Sequence, residues 1–247
     1  MRKRSVLIGV LAVASTAALP AVASADDVDT MIVGGHDATE DYSFMASLQM
    51  NGGHGCGASL IKPEWAVTAA HCVQGGSPAD FSLRIGSKEH ASGGEEAGVA
   101  DVIVHQSGDI ALLKLDHAVQ SAPIKIAAES GDPGTKTRII GWGQTTPAPG
   151  GDAPAILQEL DTSIVDDGSC TGITGESEIC TDNPGGDSGA CYGDSGGPQI
   201  KGTSGNWELI GATSRAGNND SNCATGPSIY TDVVAFTDWI NQNTGGA

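Results

Sequence analysis

One serine of this chain lies in a segment whose composition suits a nucleophile. Ser195 is the third residue of the sequence GDSGG at positions 193–197. Glycine has no side chain, so the backbone here allows a substrate to approach the hydroxyl closely. A serine attacks a carbonyl efficiently only when a general base takes its proton. The same sequence fits the nucleophile elbow of α/β-hydrolases, so the position of the base must separate the two possibilities.

The candidate base is a histidine that precedes the serine. All six histidines of the chain come before Ser195, whereas the histidine of an α/β-hydrolase follows its serine. That class of enzyme is therefore excluded. His71 lies in the sequence TAAHC at positions 68–72, where small neighbours let the ring pack close to the backbone and Cys72 could fix its position. The other five histidines share no motif, and we assign them to ordinary surface or core positions.

A carboxylate that could orient the imidazole opens an apolar segment. Asp109 is the first residue of DIALLKL at positions 109–115, a segment typical of a buried strand. At the start of such a strand the carboxylate would be shielded from water and directed at His71. Aspartate, histidine and serine together can form a catalytic triad. The alternative is an aspartate that precedes a strand without a catalytic role.

The elements that must position these residues are predicted to be strands. Short apolar segments alternate with glycine-rich and proline-rich turns, a pattern typical of an all-β protein. The predicted strands cover residues 45–50, 58–61, 81–85, 100–104, 110–115, 138–142, 208–212 and 228–233. One helix is predicted at the C-terminus, where Val233, Phe236 and Ile240 can share an apolar face with Trp239 at its flank. Residues 121–136 are expected to connect two halves of the chain.

The first 25 residues predict an exported protein. Three cations at positions 2–4 precede an apolar run over residues 6–14 and the small residues 23–25, which is the pattern of a cleaved signal peptide. The apolar run is interrupted and shorter than the ~20 residues that a membrane span needs. We therefore expect a secreted, extracellular protein with no membrane attachment after cleavage.

Charge and cysteine content narrow the function class. Twelve Lys and Arg against 30 Asp and Glu give a net charge of −18, which disfavours nucleic acid and anionic membranes as partners. Six cysteines in an exported chain predict three disulfides, although the sequence leaves their pairing open. No two cysteines have the CxxC spacing typical of zinc sites. We expect no metal and no other cofactor.

The three candidate segments, in the order His, Asp, Ser, resemble the trypsin and chymotrypsin family of serine peptidases. The resemblance extends over nearly all of residues 32–247. It includes IVGG at 32–35, GASLI at 57–61, GWG at 141–143 and PSIY at 227–230. It implies two packed six-stranded antiparallel β-barrels, over about 32–128 and about 129–247, with a C-terminal helix and the triad in the cleft between the barrels. Protein or peptide substrates, an acyl-enzyme mechanism, protein inhibitors as possible partners and a monomer follow as expectations.

The resemblance also assigns roles to further residues. The implied disulfides are Cys56–Cys72, Cys170–Cys180 and Cys191–Cys223. The backbone N–H groups of Gly193 and Ser195 would bind the oxyanion of the tetrahedral intermediate. Residues 26–31 would be an activation peptide, and cleavage after Met31 would free the amine of Ile32 to pair with the carboxylate of Asp194. The unprocessed chain is therefore expected to be a zymogen.

The substrate pocket is expected to be neutral and shallow. Its base is Gly189, where trypsin-like members of the family carry an aspartate. Its other predicted lining residues are Ala190, Tyr192, Ser214, Ala216 and Ser228. This pocket predicts cleavage after small or medium apolar residues, unless a shifted loop lets Asp187 restore a preference for Lys or Arg. Arg215 replaces an aromatic residue usual in the family. We expect it to point to solvent, and the alternative is that its cation attracts acidic residues.

Two other functions remain open at this point. The first is a catalytically silent binding protein on the same fold, and the second is a secreted esterase.

Overall fold

The computed structural model describes residues 32–246, so the predicted signal peptide and activation peptide lie outside the described residues. The described chain contains fourteen strands, several short 3₁₀ turns and one α-helix at its C-terminal end. This confirms the predicted all-β class with a C-terminal helix.

The first half of the chain contains a closed barrel of six strands. The strands of this half are β1 His36–Asp37, β2 Met45–Met50, β3 Gly53–Lys62, β4 Trp65–Thr68, β5 Phe81–Ile85, β6 Glu95–Val104 and β7 Ala111–Leu115. The barrel has the order β2-β3-β4-β7-β6-β5. In β5, Phe81, Leu83 and Ile85 are buried and the residues between them are not, because alternate side chains of a strand point to opposite faces. The apolar inward residues therefore fill the barrel.

The second half forms an eight-stranded sheet that also takes up β1. Its own strands are β8 Lys125–Ile126, β9 Lys136–Gly141, β10 Gln158–Ser163, β11 Glu178–Thr181, β12 Pro198–Thr203, β13 Asn206–Ala216 and β14 Ser228–Asp232. The order is β1-β10-β9-β12-β13-β14-β11, and β8 pairs with β13 in parallel. Without the two-residue strands β1 and β8, six antiparallel strands remain, as expected for the second half. The parallel β8 pairing was not expected.

All eight predicted strand segments overlap observed strands, but four longer strands were missed. These are β4, β10, β11 and β12. The sequence of β10, QELDTS, is mostly polar, although five of its six residues are buried. Strand β12 begins at Pro198 and includes Gly202, and both residue types disfavour a strand in sequence-based reasoning.

The C-terminal helix α1 covers Thr237–Thr244 and follows a 3₁₀ turn at Val234–Phe236. Ile240 is buried, as its predicted place on the apolar face requires. Lys62 of β3 donates from Nζ to the carbonyl oxygen of Thr244 over 3.3 Å. A cation at this end of a helix stabilises the carbonyls that have no partner within the helix. The helix is thereby fixed to the first barrel.

The three disulfides have the predicted pairing. Cys56 is bonded to Cys72, Cys170 to Cys180 and Cys191 to Cys223. The first joins β3 to the turn that carries His71, and the third joins the segment before Ser195 to the segment before β14. None of the helices formed by residues 32–246 has the length and apolar character of a membrane span.

Candidate active site

Strand pairing brings His71 and Asp109 together. Thr68 at the end of β4 pairs with Ala111 at the start of β7, so the residues just beyond these strand ends lie at the same edge of the barrel. His71 is in the 3₁₀ turn Ala70–Cys72. Its Nδ1 lies 2.8 Å from Oδ2 of Asp109, and its backbone N–H donates to Oδ1 over 3.0 Å. The two contacts fix the ring and the carboxylate relative to each other.

A third hydrogen bond to Asp109 comes from the second half of the chain. Ser214 donates from Oγ to Oδ2 of Asp109 over 2.6 Å. The pairing of β13 with β14 shifts between Thr213 and Arg215, and such a β-bulge re-aims the side chain at that position. Burial alone would raise the pKa of Asp109, but hydrogen bonds from His71 and Ser214 outweigh it and hold the pKa below its usual value. Asp109 is therefore a carboxylate at neutral pH.

Ser195 lies at the junction of the two halves and faces the same cleft as His71. Its carbonyl oxygen accepts the N–H of Gly57 from β3 over 2.8 Å, and the next N–H, of Gly196, donates to Thr213 of β13 over 2.8 Å. Among residues 32–246, no hydrogen bond joins Oγ of Ser195 to the His71 ring. Catalytic hydrogen bonds often tighten only when substrate is bound, so the arrangement is compatible with proton transfer between these two groups.

The backbone beside Ser195 offers two free donors. Within the described chain, the N–H groups of Gly193 and Ser195 have no hydrogen-bond acceptor. Gly193 has a φ of +101°, which L side chains rarely adopt. A Cβ added there would lie 3.1 Å from Cα of Gly143. Glycine therefore keeps this side of the cleft open for an oxyanion.

His54 supports this loop, although the sequence reasoning placed it among the ordinary histidines. Its Nε2 lies 3.1 Å from the carbonyl oxygen of Gly193, and its Nδ1 lies 2.8 Å from Oγ of Ser47. Burial lowers the pKa of His54 to about 4, and the charge of the nearby His90 adds to that effect. A neutral ring can donate from Nε2 and accept from the serine hydroxyl. His54 has no sequence motif, so only the fold could reveal this contact.

Asp194 is buried beside the nucleophile. Its carboxylate accepts the N–H of Gly143 over 2.7 Å and that of Cys191 over 2.8 Å. Burial raises its pKa to about 6 despite these two bonds, and none of the ion pairs among residues 32–246 includes it. Ile32 is buried in the same apolar cluster as Tyr230. Burial raises the pKa of Tyr230, and the charge of Asp194 adds to the effect, so Asp194 lies near one member of the apolar cluster that contains Ile32.

A cavity of about 750 Å³ adjoins His71 and Ser195. Five predicted pocket residues line it, namely Ala190, Tyr192, Ser214, Ala216 and Ser228. Gly189 is not part of this lining, but a Cβ added to it would lie 3.7 Å from Oγ of Ser228. Asp187 is exposed and lies outside the lining.

The segment before β14 supplies pocket residues that the sequence reasoning missed. They are Asn218, Asp220, Asn222 and Ala224, among others. Tyr192 donates its hydroxyl to the carbonyl oxygen of Ser221 over 2.7 Å, which joins the two sides of the pocket entrance. The sequence patterns of this segment do not place it at the pocket, because its position depends on contacts with distant parts of the chain, such as the Cys191–Cys223 disulfide.

Arg215 does not simply point to solvent. Its two terminal nitrogens donate to the two carboxylate oxygens of Glu178 over 2.6 and 2.8 Å. It also donates to the carbonyl oxygen of Gly172 over 2.9 Å and to Oγ of Ser214 over 3.3 Å. The bidentate pair neutralises the cation in the wall of the cleft.

Sequence comparisons show which known proteins this chain is similar to. A sequence model of the Trypsin family matches residues 32–240. The chain is 33% identical over 241 residues to mouse transmembrane protease serine 11C, covering 87% of this chain and 54% of that protein. It is 32% identical over 262 residues to trypsin epsilon of Drosophila erecta, covering 98% of each. The chain thus spans about half of the mouse relative and nearly all of the fly relative.

Proposed function

Because this chain belongs to the trypsin family of serine endopeptidases, we propose that it hydrolyses peptide bonds with His71, Asp109 and Ser195 as its triad. The observation that carries the proposal is the two-point contact between His71 and Asp109 at the edge of the cleft that Ser195 faces. The contact leaves Nε2 as the ring nitrogen available to the serine. The bound carboxylate selects the tautomer with a proton on Nδ1.

The proposed reaction has two stages. His71 takes the proton of Ser195 as the hydroxyl oxygen attacks the substrate carbonyl, and the N–H groups of Gly193 and Ser195 bind the resulting oxyanion. His71 then gives its proton to the leaving amine as the peptide C–N bond breaks, which leaves an ester on Ser195. Water, deprotonated by His71, attacks that ester and releases the second product. Asp109 stabilises the imidazolium in both stages.

The pocket supports a preference for small or medium apolar residues before the cleaved bond. Ala190, Ala216 and Ser228 give it small, uncharged walls, and exposed Asp187 lies outside it. The one acidic residue of the lining, Asp220, is exposed and comes from the segment before β14. In the wall of the cleft, the Arg215–Glu178 pair is balanced in charge, so we expect little selection for charged residues there. Selectivity should be modest, because one methylene in an apolar pocket changes binding by about 1–3 kcal/mol.

A peptide mixture tests the activity and the pocket together. Protein that begins at Ile32 is expected to cleave after residues such as Ala, Val, Leu and Met, read by mass spectrometry of the products. Ser228→Gly should enlarge the pocket and raise cleavage after Phe relative to Ala by roughly 10-fold. Asp187→Asn is the matched control and should leave the preference unchanged. Cleavage mainly after Lys or Arg would contradict the proposed pocket, and turnover of esters without peptides would favour the esterase.

The same site supports synthesis as a zymogen. In the described chain, Asp194 is a buried carboxylate with a raised pKa of about 6. Its charged form is therefore unfavourable in the folded protein as the pH rises above that value. A free ammonium at Ile32 would supply the opposite charge and reverse this penalty. Pairing of the two groups would stabilise the segment from Cys191 to Ser195, including the donors for the oxyanion.

A precursor that retains residues 26–31 is expected to be nearly inactive. Loss of one partner of a buried ion pair costs about 3–5 kcal/mol, which corresponds to roughly 10²–10⁴-fold in kcat/KM. The measurement compares precursor and processed protein on one peptide substrate. Asp194→Asn in the processed protein should behave like the precursor. Equal turnover by the two forms would contradict the zymogen proposal.

The predicted signal peptide supports secretion, and a secreted peptidase would act on extracellular proteins or peptides. Protein inhibitors that occupy the cleft and a monomeric state belong to the same proposal. Mass spectrometry of the medium of an expressing host tests export. A mature N-terminus at residue 26 or 32 is the expected result, and a chain retained in the cells with residues 1–25 attached would contradict it.

A further inference from the structure

The turn that leads into Asp109 is organised around one side chain. His105 follows the end of β6, and its backbone N–H donates to the carbonyl oxygen of Ile110 over 3.0 Å. Its ring nitrogen Nδ1 accepts the N–H of Gly108 over 2.9 Å and that of Ser107 over 3.3 Å. Two consecutive backbone donors just before Asp109 therefore converge on one imidazole nitrogen.

The ring of His105 is itself held by the C-terminal segment. Its centroid lies 4.8 Å from that of Phe236 and 5.1 Å from that of Trp239, both at steep interplanar angles. Edge-to-face contacts of this kind favour one ring orientation. Gly108 completes the packing, because a Cβ there would lie 2.5 Å from the Phe236 ring. The apolar face predicted for the C-terminal segment therefore packs against the ring of His105.

We propose that His105 is a positioning residue for the catalytic aspartate, an inference that rests on the proposed function. Since Nδ1 accepts two N–H groups, the proton of the neutral ring lies on Nε2. Nδ1 of His105 fixes the backbone of residues 107–108. The rings of Phe236 and Trp239 in turn fix the orientation of the His105 ring. Asp109 consequently enters β7 with both carboxylate oxygens directed at His71. The C-terminal helix contributes to the active site through this chain of contacts.

The alternative is that His105 only stabilises the turn. In that case a substitution of His105 would lower the stability of the protein without changing the orientation of the Asp109 carboxylate. If His105 is a positioning residue, removing its acceptor should disturb the hydrogen bond between His71 and Asp109, and another acceptor near the Nδ1 position should restore it. If His105 only stabilises the turn, that hydrogen bond should not change. Asparagine can place its side-chain oxygen near that position, whereas phenylalanine keeps the aromatic packing and removes the acceptor.

The test compares His105→Phe and His105→Asn in protein that begins at Ile32. His105→Phe is expected to lower kcat by about 10–100-fold, since small misplacements of catalytic groups can cost 10²-fold, while KM stays within about twofold. His105→Asn should restore kcat to within about threefold of the original protein. His117→Phe, at an exposed histidine on the connector side of β7, is the matched control and should leave kcat unchanged.

A spectroscopic readout separates this inference from the proposed function. Proton NMR of the Nδ1–H of His71 reports its hydrogen bond to Asp109 without any need for turnover. The downfield resonance should shift or broaden in His105→Phe and return in His105→Asn. An unchanged resonance in His105→Phe overturns the inference, as does an equal loss of kcat in both variants. An inactive original protein would instead overturn the proposed function, and the resonance would still decide the role of His105.

Discussion

Replacing Ser195 by alanine is expected to lower kcat for peptide hydrolysis by about 10⁶-fold, the scale found when a triad nucleophile is removed. In the proposed mechanism the hydroxyl of Ser195 forms the ester intermediate, and alanine has no hydroxyl to replace it. The measurement is steady-state hydrolysis of a chromogenic peptide by protein that begins at Ile32.

Stability provides the control for this variant. Within residues 32–246, Oγ of Ser195 makes no hydrogen bond, so its removal should leave the melting temperature nearly unchanged. Ser204→Ala, at an exposed serine in the turn before β13, should keep full activity. Retention of more than about one hundredth of the original kcat by Ser195→Ala would show that another residue is the nucleophile.

Replacing Asp109 by asparagine is expected to lower kcat by about 10⁴-fold, the magnitude known for this change in triads of this type. The carboxylate accepts hydrogen bonds from His71 and from Ser214. An amide of the same shape would offer an N–H to Nδ1 and so favour the tautomer that cannot accept the proton of Ser195 at Nε2. The measurement is the kcat of the variant on the same chromogenic peptide.

An exposed aspartate gives the matched control. Asp101 in β6 is exposed, and among residues 32–246 its carboxylate accepts only the N–H of the following residue. Asp101→Asn should therefore leave kcat unchanged. If Asp109→Asn lowers kcat by less than about 10-fold, the carboxylate of Asp109 does not determine the tautomer of His71. If Asp109→Asn is inactive and also has a much lower melting temperature, the loss of activity could come from unfolding. The Nδ1–H resonance of His71 in the original protein then decides whether Asp109 binds the imidazole.

Asp109 should make the folded protein more stable at neutral pH than at low pH. Its pKa in the folded protein is lower than the usual value because its hydrogen bonds outweigh its burial. The folded state therefore binds the proton less readily than the unfolded state, and Asp109 contributes stability above its unfolded pKa. That contribution is lost as the pH falls through the folded pKa.

The reactive residues could be predicted because each lies in a local motif. Ser195, His71 and Asp109 have neighbours whose small or apolar side chains are visible in the sequence, and the resemblance supplied the disulfide pairs. The strand segments rich in branched residues were predicted for the same reason. Sequence patterns of this kind report the local environment of a residue.

The residues that support the site could not be predicted, because their roles depend on contacts between distant parts of the chain. His54 meets Gly193 across 139 positions, and Arg215 meets Glu178 across 37. His105 acts on nearby backbone, but its ring is held by the C-terminal helix. The polar strand β10 was missed because its buried Glu159 is stabilised by a salt bridge to Arg138 of β9. Neither residue alone reveals that pairing.

The proposed mechanism requires that an imidazole oriented by Asp109 activates the hydroxyl of Ser195. Labelling of protein that begins at Ile32 with a fluorophosphonate, followed by peptide mapping, tests it most directly, because the reagent forms a phosphonyl ester only with an activated serine and releases fluoride. We expect one adduct, on Ser195, and its loss in His71→Ala. No adduct on the folded protein would favour the silent binding protein, and an adduct on a different serine would contradict the proposed triad.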